Sequence, residues 1–247
     1  MGSFLELTLV HHCSQPPKEK LYVEINNLLE RLDSELSLYQ PGSAINELNK
    51  NGVIHNASKD FILLLELAKD YYKKSNGLFN ICIETLNNKN LKPEERSLPL
   101  PTPFDITHQG KKIFFNKPLK ITFDGIAKGY AVDLVYTLLK DTWAHFLINF
   151  SGNMRFSGAR ADNSPWQILA WNKKERRHKQ IDTRRFSAVA TSGNEHSPGH
   201  VINPITKKRI TEITPASALC KTAVAADVFS TVFFIDPTVS ATECELF

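Results

Sequence analysis

The stretch Ile121-Thr-Phe-Asp-Gly-Ile-Ala-Lys-Gly-Tyr-Ala-Val-Asp133 constrains the fold more tightly than any other part of the chain. It reads as an extended apolar segment that enters a glycine-flanked turn and emerges as a helix. The helix is expected over Ala127 to Leu139, with Ala131, Leu134, Val135, Leu138 and Leu139 inward. A helix N-terminus offers unpaired N–H groups and a partial positive charge, which suits phosphate. Gly125 and Gly129 let backbone approach a ligand closely, and Lys128 adds a point charge suited to a pyrophosphate. The spacing is neither a Walker loop nor the dinucleotide fingerprint, and a glycine turn before a helix serves packing more often than binding. Both readings stay open on this stretch alone.

Around it the chain alternates patterns. Phe4 to Val10 carries Leu5, Leu7 and Leu9 on one face and predicts a strand. Residues 18–33 predict a helix. Ser43 caps a short helix through Asn49, and Ser58 caps another with Phe61, Leu64, Leu65, Ala68, Tyr71 and Tyr72 on its core face. Asn76-Gly77 is a helix-end signal. Residues 86–106 read as a long surface loop. Ile113–Phe115 and Leu119–Phe123 predict a hairpin about Asn116-Lys117-Pro118. Short strands are expected at Phe146–Phe150, Met154–Ser157, Trp166–Trp171, Phe186–Ala190 and Gly199–Ile202, then a helix from Ala223 to Phe234. Helices early and strands late predict an α+β fold rather than a doubly wound sheet.

Composition excludes several classes. Hydrophobic residues at 42% and charged residues at 23% rule out a disordered chain. A net charge of +4 is too mild to imply nucleic acid and compatible with an anionic small ligand. Lys173 to Lys179 reads as a solvated hairpin tip, with Arg184 and Arg185 extending a basic surface. The longest apolar run, Phe61 to Leu65, is far short of the roughly 20 residues of a membrane span. Residues 1–12 show no signal-peptide pattern. That pattern fits a cytoplasmic chain as given, or a periplasmic one trimmed from an exported precursor. Cys13, Cys82, Cys220 and Cys244 lack C-x-x-C spacing and are expected as buried or incidental thiols. His11 and His12 fall on opposite strand faces and are expected to share no metal.

Two further constellations carry chemistry. Asp227 and Thr231 lie four apart on the last helix and share a face among apolar neighbours. A carboxylate and a hydroxyl there need partners. Two hard oxygens suit Mg²⁺ with substrate phosphates completing its shell; an ion pair for Asp227 and a back-bond for Thr231 satisfy them equally well. Ala190-Thr191-Ser192-Gly193 and His200-Val-Ile-Asn-Pro-Ile-Thr206 could frame a reacting centre, with His200 as a general base, although a lone histidine is more often structural.

Taken in order, these stretches resemble the ApbE-type FAD:protein FMN transferases, and the resemblance runs over nearly the whole chain. Met1-Gly2-Ser3 resembles the opening M-G-T/S. Leu36-Ser-Leu-Tyr39 with Pro41-Gly42-Ser43 and Leu48-Asn49 is similar to S-x-Y-x-x-x-S…L-N. Ser75 to Asn80 stands where the family has S-G-G-x-F-D. Gly125 to Asp133 matches G-I-A-K-G-Y-A-V-D without a break, and Ala190 to Gly193 matches A-T-S-G. His200 to Thr206 resembles H-I-I-D-P-x-T-G, and Cys220 with Ala226-Asp-Val-Phe-Ser-Thr231 resembles C…A-D-A-x-x-T.

The resemblance implies one domain over residues 1–247, with mixed sheets, flanking helices and a ligand site between two α/β subdomains. It implies Mg²⁺-dependent transfer of FMN from FAD to a threonine hydroxyl of an acceptor protein, with AMP leaving; some members instead hydrolyse FAD to FMN and AMP. Gly125 through its carbonyl, Asp227 and Thr231 fall on the metal positions, and His200 on the base. Lys128 falls on the phosphates. Met1, Tyr39, Leu78, Phe79, Asn80, Thr122, Thr191, Val201 and Ile202 fall on the flavin and adenine pockets. The chain departs from the pattern at several carboxylates and glycines. Asn80 replaces the Asp of F-D, Thr122 that of D-L-x-G and Asn203 that of I-I-D-P. Lys207 follows Thr206 where the pattern has Gly, and G-G-D/E-I-R reads Ser151-Gly-Asn-Met-Arg155. These losses predict weaker electrostatics at the metal, and raise the alternative of a flavin-binding paralogue without catalysis.

Overall fold

A computed structural model of the protein describes residues 4–10, 18–87, 98–194 and 199–247. The chain groups into two compact units. One contains Leu29–Asp124 and Ile202–Ile210; the other contains Gly2–Leu28, Gly125–Val201 and Thr211–Phe247.

The first unit is built on helices whose starts are set by hydroxyl caps. Helix α1, Lys18–Leu36, enters it from Leu29 onward. Ser43 Oγ accepts from the Asn46 N–H at 3.3 Å and starts α2, Ala44–Asn51. Ser58 Oγ accepts from the Phe61 N–H at 3.0 Å and starts α3, Lys59–Lys74. The 3.6-residue period then buries Phe61, Leu64, Leu65, Ala68 and Tyr71. The Gly77 N–H donates to the Tyr72 carbonyl and closes the helix end. Strands β2 (Val53–Ile54), β3 (Ile106–Gln109) and β4 (Lys112–Phe115) form an antiparallel sheet in the order β2-β4-β3.

The expected hairpin about Asn116-Lys117-Pro118 is absent. Strand β4 turns back on β3 instead, through Gly110-Lys111. Leu119, Ile121 and Phe123 are buried as their alternation required, but side chains pair with this segment where a strand was expected. Asn49 gives its amide N–H to the Ile121 carbonyl at 2.8 Å and takes the Ile121 N–H at 2.7 Å. Thr85 does the same for Lys120 with its hydroxyl, at 3.0 and 2.9 Å. The buried backbone is thereby satisfied without a ladder. The expected loop over residues 86–106 contains a 3-10 turn at Pro103–Asp105 and the start of β3, and a 3-10 helix at Ile81–Asn87 leads into it; residues 88–97 lie outside the described residues.

The second unit holds, among the described residues, a six-stranded antiparallel sheet in the order β1-β5-β6-β9-β10-β11. Its strands are β1 (Leu5–Leu9), β5 (Phe146–Phe150), β6 (Asn153–Ser157), β9 (Ala188–Ser192), β10 (Ala216–Cys220) and β11 (Cys244–Leu246). Helices α4 (Ala127–Leu139) and α5 (Ala223–Ile235) pack on it and on each other. Tyr130 and Val132 of α4 are buried, whereas Leu138, expected inward, is 41% exposed. A separate hairpin pairs β7 (Leu169–Asn172) with β8 (Arg177–Gln180), so the basic tip is shorter than expected and Arg177 to Lys179 form an exposed strand.

Two sequence expectations fail here and in the adjoining segment. Gly199–Ile202 is not a strand; Ile202 makes one bridge, to Arg209. Pro204 lacks an N–H, and Asn203 Oδ1 accepts from the Ile205 and Thr206 N–H groups, turning the chain before pairing extends. Cys220 and Cys244 are not incidental thiols. They face each other in the β10–β11 register and form a disulfide. Cys82 is a buried thiol, its pKa raised by desolvation. His11, His12 and Cys13 lie outside the described residues.

Candidate functional site

The centre of the second unit is the crossing of α4 and α5. Ile126 occupies the cap position of α4 and has no side-chain oxygen to offer. Asp227, on α5, supplies it: its Oδ2 accepts from the Gly129 N–H at 2.9 Å, in the first turn of α4. Asp227 is 5% exposed, and its carboxylate sits at the positive end of a helix, where negative charge is stabilised. Gly129 is required by the same crossing. A Cβ there would lie 2.4 Å from the Ala223 carbonyl oxygen and 2.8 Å from Asp227 Cβ. The signature glycine therefore serves packing, and the packing places Asp227. Gly125, with φ of 80°, forms the turn before the helix, and half-buried Lys128 stands in its first turn.

One turn along α5, the Thr231 hydroxyl lies 3.4 Å from the Asp227 carbonyl and 3.2 Å from Ser192 Oγ. Ser192 also meets Ser230 Oγ at 2.8 Å. The end of β9 thus brings a second hydroxyl onto the face that carries Asp227 and Thr231. Thr191, its exposed neighbour, hydrogen-bonds Ser217 Oγ on β10 at 2.7 Å. Sequence reasoning did not single out Ser230 or give Ser192 a metal-side role. The signal was present, since Ser230 precedes Thr231 and Ser192 lies inside A-T-S-G.

Oxygen chemistry at this face suits a small hard cation. Among the described residues no three His, Cys, Asp or Glu side chains cluster into a metal cage. A buried carboxylate with hydroxyl oxygens beside it fits Mg²⁺, which commonly takes one or two carboxylates and leaves other positions to water and substrate phosphate. Asp227 and Thr231, which share this face, are the side chains that would hold it.

In the first unit, the residues that depart from the family pattern bind backbone. Asn80 Oδ1 accepts from the Cys82 N–H at 2.9 Å, and its amide donates to the Pro101 carbonyl at 2.9 Å. An aspartate could accept the first bond but could not donate the second. Thr122 Oγ1 accepts from the Asp124 N–H at 3.0 Å, and the Thr122 N–H donates to the Ile81 carbonyl. Asn80 and Thr122 therefore flank the same 3-10 helix start. Leu78 and Phe79 are core residues, Phe79 meeting Tyr71 edge-on at 6.5 Å between centroids. Tyr39 is 87% exposed. Ile202 is buried and Val201 half-buried, His200 is exposed, and Met1 lies outside the described residues.

Comparison with known proteins bears on the whole of this arrangement. The model of a family described as "ApbE family" matches residues 1–244. A FAD:protein FMN transferase of Vibrio cholerae serotype O1 is 23% identical, over 94% of this chain and 78% of its own. One from Haemophilus influenzae is 24% identical, over 88% of this chain and 72% of its own. Among solved structures, the flavin transferase ApbE from Vibrio cholerae superposes with a TM-score of 0.79 at 21% identity, covering 95% of this chain and 84% of its own. The apo Pseudomonas stutzeri flavinyl transferase ApbE gives 0.78 at 25% identity, covering 95% and 81%. With a family match from end to end and the same mixed architecture of helices and sheets, the chain belongs to the ApbE family.

Proposed function

We propose that this protein is an FAD:protein FMN transferase that uses Mg²⁺ and a threonine acceptor and releases AMP. The observation that carries the reading is the buried Asp227 carboxylate, docked on the first turn of α4 beside the Gly125 turn and Lys128. Mg²⁺, when bound, would neutralise charge on the diphosphate. The first turn of α4 and Lys128 orient the phosphates. The acceptor threonine oxygen forms a bond to the FMN phosphorus. The bond from that phosphorus to the bridging oxygen breaks, and AMP leaves with the electron pair. His200, an exposed residue in the chain after β9, takes the hydroxyl proton.

Three of the four replaced carboxylates keep a local acceptor role; the fourth, Asn153, buries its Oδ1 without a hydrogen-bond partner among the described residues. Asn80, Thr122 and Asn203 each direct their side-chain oxygen to backbone N–H groups, a task that needs an acceptor and not a charge.

The test is intact-mass spectrometry of an acceptor bearing a flavinylation threonine, incubated with the protein, FAD and Mg²⁺, with AMP followed in parallel. The expected result is a mass gain of one FMN moiety that chelator abolishes. AMP without mass gain would replace transfer by FAD hydrolysis. Bound FAD without AMP would leave a flavin-binding protein.

A further inference from the structure

Asp133 ends the signature stretch, and the reading above gives it no task. Its carboxylate accepts three hydrogen bonds. Oδ1 accepts from the Ala223 N–H at 2.8 Å and from Arg155 Nη1 at 2.7 Å. Oδ2 accepts from the Val224 N–H at 3.0 Å. Ala223 and Val224 open α5, and the Thr222 hydroxyl accepts from the Ala225 N–H at 3.3 Å. The first three N–H groups of α5 are thereby all occupied, two of them by a residue of α4.

The arrangement is reciprocal. Asp227 of α5 satisfies the first turn of α4, and Asp133 of α4 satisfies the first turn of α5. In each helix the two participants, Gly129 with Asp133 and Ala223 with Asp227, lie four residues apart and share a face. Fixing Ala223 therefore fixes the rotation of α5 that sets Asp227. Arg155, on β6, neutralises Asp133 and is itself held, its guanidinium 3.7 Å above the Tyr136 ring. Two carboxylates can then share one seam without mutual repulsion. Only 16% of each of the Asp133 and Arg155 side chains is exposed.

We infer that Asp133, clamped by Arg155, is a positioning residue that sets the Asp227 carboxylate for metal; this rests on the assignment of Asp227 as a metal ligand. The test titrates the full-length protein with Mn²⁺, reading free Mn²⁺ by electron paramagnetic resonance, for wild type, Asp133→Ala, Asp133→Asn and Arg155→Met. The Mg²⁺ dependence of AMP release is measured alongside. Expected is a rise of about tenfold in the metal dissociation constant of Asp133→Ala, the size seen when a group orienting a metal ligand is lost. Its turnover at saturating Mg²⁺ returns to within about threefold of wild type, because the ligand itself is intact. Arg155→Met shifts the metal constant in the same direction by less. A lowered melting temperature with an unchanged metal constant would overturn the inference, leaving Asp133 as a helix cap alone. Wild type that binds no Mn²⁺ overturns both the ligand assignment and the inference, whereas wild type and variants that bind equally well overturn the inference only. Should Asp133→Ala not fold, Asp133→Asn and Arg155→Met carry the same readouts. Asparagine keeps the size but turns a donor toward one of the two N–H groups.

Discussion

Ser151 and Lys207 hold φ angles of 50° and 58°, where an L side chain crowds its own backbone. The strain is of order 1–2 kcal/mol per residue. Both stand where the family pattern carries glycine, as does Asn76, with φ of 51°. Each position carries a left-handed backbone with a side chain less suited to it than glycine, asparagine being the mildest of the three. Glycine also widens the unfolded ensemble, which offsets part of the relief, so Ser151→Gly and Lys207→Gly are each expected to stabilise by about 0.5–1 kcal/mol. Urea midpoints at unchanged slope check this. Roles in the chemistry separate at the same scale. Asp227→Ala is expected to lose metal-dependent AMP release by at least about a hundredfold while keeping a cooperative unfolding transition; full activity would remove Asp227 from the metal. His200→Ala is expected to slow transfer by about 10²–10⁴-fold with FAD affinity within a few-fold of wild type, since proton transfer is a transition-state task. Equal losses in both would make His200 a binding residue.

At the scale of elements, the α4–α5 crossing is decided by one missing methyl group. Alanine favours a helix over glycine by about 1 kcal/mol, so propensity alone predicts that Gly129→Ala stabilises. The added Cβ would meet backbone at 2.4 Å, however, and two helices would have to part. Overpacking of that kind costs about 1–3 kcal/mol or more, and here it opposes backbone rather than a flexible side chain. The expected outcome is a net loss of about 2 kcal/mol in chemical denaturation together with weakened metal binding, because the helix displaced is the one that carries Asp227. A variant as stable as wild type would show that the crossing is looser than its geometry. The segment from Leu119 to Phe123 teaches the complementary lesson. Its alternation announced extended, buried chain correctly, but alternation does not say what pairs with a backbone, and here Asn49 and Thr85 do.

Across the whole molecule, what was legible in the sequence is what is local. The caps Ser43 and Ser58, the period of α3 and the glycine turn before α4 lie within a few residues of what they control, and they stand as expected except that Tyr72 of α3 is half-buried rather than core. Strand β10 was missed because all its residues are buried and no alternation marks it, and β11 because it is three residues long. The site was half legible. Asp227 and Thr231 declared themselves as polar groups on an apolar helix, but the partner of Asp227 lies 98 residues earlier. Asn80 read as a lost charge; only the surrounding backbone reveals a position that needs an acceptor and a donor. The cysteines failed for the same reason, since their pairing depends on a strand register that spacing does not encode.

The Cys220–Cys244 bond spans a sequence separation of 24 residues, for which loop-closure entropy gives about 3.5 kcal/mol. Cys220→Ser is expected to lower stability by that order, and wild type in reductant should unfold at the variant's midpoint. Where thiols are kept reduced, the bond does not persist. The folding free energy of this chain is thus not one number. It takes one value in an oxidising compartment and a lower one beside glutathione, so the same polypeptide becomes more vulnerable to proteases and to heat when its surroundings turn reducing.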